Sequence, residues 1–256
     1  MLASVGFPQV LHSCGFVHPE LGTSMKDLLE GLGVVTNLSK KSWEMLFYRH
    51  HIGFLWTESL NPSFAKLRPL REQLGLGTVL DSIEKMMNPL NSDHMIIGVK
   101  HSGMMERMIP SLMRLGYPQV YLVQGIEGSE DLPIHTTSCI RIVTPWGDET
   151  RLVEPHKLGF YSKPLEPLSK AQQILLLQRV MAGDDSPELK RERDHIIFNA
   201  GLRLTWFDKV GSYEEGFHMA ATLLERKAAF KVLTKWQEQS AQMLEQETHP
   251  KVKKSK

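Results

Sequence analysis

The sequence has little of three things that would narrow its function at once: cysteine, net charge and long apolar runs. Its 256 residues include two cysteines, Cys14 and Cys139, too few for a disulfide framework, so we interpret both as buried thiols in a reducing compartment. Thirty Lys and Arg against 29 Asp and Glu leave a formal charge of +1, which removes the electrostatic argument for a nucleic-acid or membrane partner. No run of about 20 apolar residues is present, so no membrane-spanning helix is predicted.

The first residues, MLASVGFPQVLHSCGF, also lack the marks of a targeting segment. They have no basic region followed by an apolar stretch, and they are not rich in Arg and Ser, so neither a signal peptide nor a transit peptide is visible. We therefore expect a cytoplasmic protein or one in an organelle stroma. What the chain does have, 41% hydrophobic and 23% charged residues, is typical of a soluble globular protein with a large core.

Short apolar runs alternate with helical patterns over the first two thirds of the chain. Six runs predict strands, over residues 9–12, 52–55, 95–99, 120–123, 139–143 and 151–153. Capping and terminating residues between them predict helices over 24–33, 62–74 and 102–115. This alternation favours an α/β fold with a central sheet flanked by helices.

The last third is helical throughout. Apolar residues recur at helical spacing over 169–182, 188–207 and 212–243, and capping boxes open the first and the third of these segments. They predict a helical C-terminal layer. We expect one α/β domain over residues 1–243 and a disordered basic tail over 244–256.

One turn carries residues suited to chemistry. In GIEGSED (125–131) the chain leaves an apolar strand, turns through two glycines and presents Glu127, Glu130 and Asp131. Solvent exposure is the ordinary explanation of an acidic turn. Its place at the end of a predicted central strand favours a ligand site instead, since ligands of open α/β sheets bind outside the carboxyl ends of strands. Adjacent carboxylates there could hold Mg²⁺, which takes only one or two from a protein.

A second candidate stretch lies on the predicted helix over 62–74. Arg68 and Arg71 are three residues apart on one face, and Lys66 lies nearby. Arginine supplies a planar fork that fits carboxylates and phosphates. A solvated amphipathic helix is the commoner explanation of such a pattern.

Several segments, in the same order over nearly the whole chain, resemble the anthranilate phosphoribosyltransferase family and its glycosyltransferase relatives. Pro62, Arg71, Leu74, Gly75, Thr78 and the pair Asn88-Pro89 match the family pattern HPAMK…VR..LG.RT.FN.LGPL.NP. IGFLWTESLNP (52–62) is similar to IGFLFA…HP, QGIEGSED (124–131) to HGEDGLDE, and NAGLRL (199–204) to NAAAAL. We identify the chain as a member of that superfamily.

The resemblance implies an activity and a set of site residues. The family's acidic pair binds Mg²⁺ and, through it, the diphosphate of phosphoribosyl pyrophosphate; here that pair is Glu130 and Asp131. The family's arginine for the anthranilate carboxylate corresponds to Arg71, and its phosphate and substrate elements to Gly15 and Asn88. The implied reaction is Mg²⁺-dependent transfer of phosphoribosyl to an aromatic amine, as in tryptophan biosynthesis. The resemblance also implies a possible homodimer.

Three departures from the family pattern bear on that activity. The glycine-rich GTGGD loop and the small N-terminal helical domain would precede Met1. Of the family's KHGN element only Gly15 survives. The glycine of LLGPLLNP is lost, and an acid and a base, Glu84 and Lys85, stand in that region. A shortened product of a longer enzyme would show the first departure.

These departures keep a second hypothesis open, in which the chain is an inactive relative that binds nucleic acid or a protein. The near-neutral charge counts against nucleic acid, because affinity for it depends on neutralising phosphates. A local surface stripe could still serve, formed by Lys66, Arg68, Arg71, Arg107 and Arg114.

Overall fold

The computed structural model describes residues 1–13, 23–75, 77–164 and 168–249. It has the expected α/β character, and all six predicted strand positions lie within observed strands. In chain order the elements are β1 (Gln9–Ser13), α1 (Met25–Gly31), α2 (Lys40–His50), β2 (Ile52–Trp56), α3 (Thr57–Leu60), α4 (Pro62–Leu74), α5 (Val79–Lys85), β3 (His94–Val99), α6 (Ser102–Leu115), β4 (Gln119–Gln124), β5 (Ser138–Thr144), β6 (Gly147–Val153), α7 (Lys170–Met181), α8 (Lys190–Trp206), α9 (Tyr213–Glu225) and α10 (Ala228–Thr248).

The chain forms two compact units, each built from separate stretches. The first unit comprises Met1–Leu74, Leu168–Leu189 and Ala220–Lys256, and the second comprises Gly75–Pro167 and Lys190–Met219. None of the helices within the described ranges combines the length and apolar character that a bilayer-spanning segment needs. The prediction of a single domain over 1–243 stays a prediction.

The first unit is built around two parallel strands, β1 and β2, paired so that Ser13 lies opposite Trp56. Its core joins Leu29 of α1, Leu46 of α2, Phe54 of β2 and Trp236 of α10. Helix α1 begins as predicted, because the Ser24 hydroxyl accepts a hydrogen bond from the Asp27 N–H at 3.0 Å. Helix α2 was not among the predicted helices.

The second unit holds a four-stranded sheet in the order β3-β4-β5-β6, parallel at β3-β4 and antiparallel elsewhere. Successive residues of a strand point to opposite faces. On β4, Leu122 belongs to the core that Met105 and Leu112 of α6 share with the sheet. Its neighbour Tyr121 instead stacks on Trp206 of α8, with ring centroids 5.0 Å apart. Helices therefore flank this sheet, as the sequence predicts.

The C-terminal helices differ from the prediction in two places. The predicted helix over 212–243 is two helices, because Lys227 adopts the left-handed conformation with φ of 55° and ends the regular hydrogen bonding. No glycine or proline marks this break, so apolar periodicity runs through it. Helix α10 then continues to Thr248, beyond the predicted start of the tail at 244. The Glu247 carboxylate supports this extension, since it accepts hydrogen bonds from the Ser39 N–H and hydroxyl. Residues 250–256 lie outside the described ranges.

The acidic turn after β4 packs tightly against the ends of β3 and β4. A Cβ atom added to Gly98 of β3, or to Gly125 after β4, would overlap the backbone carbonyl of Ser129. Only glycine allows backbone segments to approach this closely. The position of the turn therefore depends on two residues without side chains.

We predict that Gly98→Ala lowers the free energy of unfolding by about 2–3 kcal/mol, since the backbone of Ser129 cannot move aside as a flexible side chain could. The matched control is Gly103→Ala on α6, where an added Cβ would meet open space. It should be neutral or stabilising by up to about 1 kcal/mol, as expected for glycine in a helix. Urea unfolding would measure both, and equal midpoints for the two variants would contradict the close packing.

Candidate functional site

The acidic turn closes on itself immediately after β4. A 3₁₀ turn, Ile126–Gly128, follows Gly125, and the Ile126 N–H donates to the Asp131 carbonyl at 2.9 Å. Glu127 and Gly128 both have positive φ, of 50° and 83°. This compact loop sets Glu130 and Asp131 side by side at the carboxyl end of the strand, as the sequence predicts.

Helix α8 holds the turn from one side through the backbone of Leu132. The Asn199 amide accepts a hydrogen bond from the Leu132 N–H at 2.8 Å and donates one to its carbonyl at 2.9 Å. The Nε2 atom of His195 lies 3.1 Å from the same carbonyl, and since a carbonyl only accepts, that nitrogen carries the hydrogen. Burial lowers the pKa of His195, and the hydrogen bond to the Leu132 carbonyl opposes this shift only in part.

Arg203 joins the same helix to the acidic pair itself. Its Nη2 atom lies 2.8 Å from the Glu130 carbonyl oxygen and 2.7 Å from Oδ1 of Asp131. The arginine side chain is 20% exposed and the aspartate side chain 49%. Desolvation would raise the pKa of Asp131, but the charge of Arg203 and its hydrogen bond outweigh it, and that pKa lies below its usual value. Asp131 is therefore a carboxylate at neutral pH.

Two lysines hold the turn from another side. The Lys85 ammonium donates to the carbonyls of Gly98 and Gly128, each at 2.8 Å. Lys100 forms an ion pair with Glu127 at 2.9 Å. Lys85, the base in the region where the family pattern has lost its glycine, thus connects the end of β3 to the acidic turn.

The acidic pair has the chemistry that a magnesium ion requires. Within the described ranges, no cluster of three or more His, Cys, Asp or Glu side chains is present, but Mg²⁺ needs only one or two carboxylates. In that part of the chain the Glu130 carboxylate and Oδ2 of Asp131 have no hydrogen-bond or ion-pair partner. Three carboxylate oxygens on a partly exposed turn therefore fit a hard cation that keeps several waters.

The structure gives less support to substrate-binding roles for the other two predicted residues, Asn88 and Gly15. The Asn88 amide bonds both backbone groups of Ser92, at 2.8 and 2.9 Å, and so holds the loop that leads into β3. Its role in substrate binding stays a prediction. Gly15 lies outside the described residues.

Arg71 lies in the first unit, on α4, and its side chain is 1% exposed. Its neighbour Arg68 pairs with the buried Glu58 and lies 5.3 Å from the centre of the Trp56 ring. Lys26 approaches the same ring at 5.2 Å. Arg71 therefore cannot belong to the predicted surface stripe, which is wrong on this point because the helix turns that residue inward.

The carboxyl ends of β1 and β2 carry buried polar atoms. Among the described residues, the Ser13 hydroxyl, the Trp56 indole nitrogen and the Thr57 hydroxyl are buried there without a hydrogen-bond partner. Buried polar groups are nearly always satisfied, so three exceptions at one end of a strand pair mark a place where a ligand could bond. Substrates of parallel sheets bind at this end of the strands.

Sequence reasoning missed the three residues of α8 that bond the acidic turn or Leu132, the residue that follows it. His195, Asn199 and Arg203 are spaced four apart, which places them on one helix face. A polar row in a helix rich in buried residues was the available signal. A second signal was the arginine itself, which stands where the compared segment NAAAAL has its last alanine.

We predict that Asn199→Ala lowers the free energy of unfolding by about 2–3 kcal/mol, because it leaves the Leu132 N–H unpaired and removes one of the two hydrogen bonds to the Leu132 carbonyl. The control is the exposed Arg107→Ala on α6, expected to change stability by less than about 0.5 kcal/mol. Denaturant unfolding gives the stability, and amide hydrogen exchange at Leu132 gives the local effect. Unchanged exchange at Leu132 would contradict the assigned bonds.

Comparisons with known proteins identify the family and the fold. A family model described as "Glycosyl transferase family, a/b domain" matches residues 1–230. The anthranilate phosphoribosyltransferase of Chlamydia caviae is 28% identical over 251 residues, which cover 95% of this chain and 70% of the relative. That of Geotalea uraniireducens is 26% identical, covering 82% and 59%. The chain thus spans well under the full length of these curated relatives.

Solved structures show the same fold. The anthranilate phosphoribosyltransferase of Thermus thermophilus superposes with a TM-score of 0.76 at 23% identity, covering 93% of this chain and 70% of that one. The Saccharomyces cerevisiae enzyme, solved in complex with PRPP and Mg, gives a TM-score of 0.77 at 18% identity, covering 94% and 67%. These likenesses confirm the α/β fold class predicted from the sequence.

Proposed function

The chain belongs to the glycosyl transferase family, whose a/b-domain model matches residues 1–230, and we propose that it transfers phosphoribosyl from phosphoribosyl pyrophosphate to an aromatic amine. One observation carries the proposal: two adjacent carboxylates, Glu130 and Asp131, stand at the carboxyl end of β4 on a turn that glycine contacts hold in place. The Saccharomyces cerevisiae enzyme solved in complex with PRPP and Mg supports the proposed donor and the proposed metal.

Glu130 and Asp131 would hold the magnesium ion. When bound there, Mg²⁺ would neutralise charge on the diphosphate of the donor. The chain's own contribution is to keep Asp131 ionised and to hold the turn that carries both carboxylates in place. Arg203 keeps the pKa of Asp131 low despite its partial desolvation, and Asn199 fixes the backbone that follows.

The proposed reaction breaks the C1–O bond to the diphosphate and forms a C1–N bond to the amine, which loses a proton. Diphosphate leaves with the electron pair of the broken bond. Such a reaction needs positioning and electrostatic stabilisation rather than a covalent nucleophile. The acidic turn would accordingly act on the leaving group alone.

Arg71 is the proposed ligand of a carboxylate on the acceptor. Among the described residues it is one of the largest fully buried side chains, and a buried arginine presents a planar fork whose position α4 determines. The buried polar atoms of Ser13, Trp56 and Thr57 supply further hydrogen-bonding groups in the same unit. An aromatic amine that bears a carboxylate, such as anthranilate, has the matching chemistry.

Calorimetric titration with phosphoribosyl pyrophosphate, with and without Mg²⁺, tests the donor site. We expect Mg²⁺-dependent binding that weakens at least about tenfold in the double variant Glu130→Gln, Asp131→Asn, since both metal-binding charges are removed. The matched control is Glu127→Gln on the same turn, whose carboxylate pairs with Lys100. It should bind within about twofold of the unchanged chain.

A folded chain that fails to bind phosphoribosyl pyrophosphate at millimolar concentration would overturn the proposed activity. That result would favour the second hypothesis, an inactive relative with a nucleic-acid or protein partner. Equal binding by the double variant and the unchanged chain would keep the substrate but reject the acidic pair as its metal site.

Arg71→Lys tests the acceptor site. Lysine keeps the charge and loses the fork, so anthranilate binding in the presence of donor should weaken by about tenfold or more while donor affinity stays the same. The control is Lys66→Met, an exposed position on the same helix. Calorimetry reports both affinities, and parallel loss of donor binding in Arg71→Lys would show a folding defect instead.

A further inference from the structure

We propose that Arg203 is a resident counter-cation of the acidic pair, which competes with Mg²⁺ for Asp131 and so weakens the chain's affinity for the metal. The inference deepens the proposed function, because it concerns the same two carboxylates. It goes beyond that function in assigning to α8 a residue that sets how much metal the turn retains.

The contacts of Arg203 place its charge directly on the acidic pair. Its Nη2 atom bonds Oδ1 of Asp131 at 2.7 Å and the Glu130 carbonyl oxygen at 2.8 Å. Only 20% of the arginine side chain is exposed, so solvent screens the interaction less than it would at an open surface. The guanidinium is charged at every accessible pH, and its effect on a nearby cation is therefore permanent.

A metal ion at the turn would meet that charge at close range. Asp131 offers one engaged oxygen and one that has no hydrogen-bond or ion-pair partner within the described ranges, and Glu130 offers both of its carboxylate oxygens. A divalent ion bound to Asp131 either shares the carboxylate with the guanidinium or displaces it. Both arrangements weaken binding, the first by like-charge repulsion and the second by breaking a charge-assisted hydrogen bond.

Arg203 differs in this respect from the other cations of the turn. Lys100 pairs with Glu127, which is not one of the two proposed ligands, and Lys85 bonds the carbonyls of Gly98 and Gly128. In the part of the chain that the structure describes, Arg203 is the cationic side chain with a hydrogen bond to a carboxylate of the acidic pair. Removal of the Arg203 charge should therefore change the affinity for the metal more than removal of the Lys85 or Lys100 charge.

The test is binding of the metal alone, without phosphoribosyl pyrophosphate. Mn²⁺ reports directly by electron paramagnetic resonance and can be displaced by Mg²⁺. We expect Arg203→Met to bind Mn²⁺ about tenfold more tightly than the unchanged chain, the size expected for removal of one nearby, partly screened charge. Arg203→Lys keeps the charge and should stay within about threefold of the unchanged chain.

The matched control is Arg191→Met on the same helix, because Arg191 pairs with its neighbour Glu192 rather than with the turn. Its Mn²⁺ affinity should not change. In the double variant Arg203→Met, Asp131→Asn the gain should disappear, since the oxygen that the arginine occupied is then no longer a charged ligand. Thermal melting checks that each chain is folded, and Arg203→Gln, which keeps donor groups without charge, replaces Arg203→Met should the latter unfold.

The outcomes separate the two proposals. Tighter binding by Arg203→Met supports the inference, including the case in which the unchanged chain binds no measurable metal. Equal or weaker binding by a folded Arg203→Met, beside clear binding by the unchanged chain, overturns the inference and leaves the metal site intact. A complete lack of metal binding by every folded variant overturns both the inference and the metal site of the proposed function.

Discussion

The approach of the Ser129 carbonyl to the backbones of Gly98 and Gly125 is the contact on which the candidate cation site depends. It brings the acidic turn against the ends of two parallel strands, where a side chain at either glycine would separate them. The turn's carboxylates then stand where parallel strands end, the usual place for a ligand in this class of fold. Displacement of the turn would move both proposed metal ligands together.

A turn packed this closely needs partners for its carboxylates and for its backbone carbonyls. Lys85 provides part of it, since its ammonium bonds a carbonyl of β3 and a carbonyl of the turn at once. Arg203 provides another part by pairing with Asp131. Of these two cations, Arg203 is the one that bonds a carboxylate of the acidic pair, so the charge that stabilises the turn there is also the one that would oppose a divalent cation in the proposed site.

Short apolar runs predicted the six strands, because burial of a strand is visible in a few neighbouring residues, and the periodicity of apolar residues predicted the C-terminal helices. It failed at Lys227, where a left-handed residue separates α9 from α10 without any glycine or proline. It also placed the start of the tail too early, since the contact of Glu247 with Ser39 lengthens α10 and joins positions 208 residues apart. Contacts of that separation leave no local pattern.

The sequence by itself determined the class of fold, the strand that precedes the acidic turn and the pair of carboxylates on it. All of these follow from local composition and from motifs of a few residues. Tertiary structure alone decided which charged groups pair. Arg203 and Asp131 are 72 residues apart in the chain, and the packing of α8 places Nη2 of Arg203 2.7 Å from Oδ1 of Asp131. It also decided that Arg71 is buried while Arg68 pairs with Glu58. The reason is that a charge's partner depends on how separate helices pack, which short-range propensity does not encode.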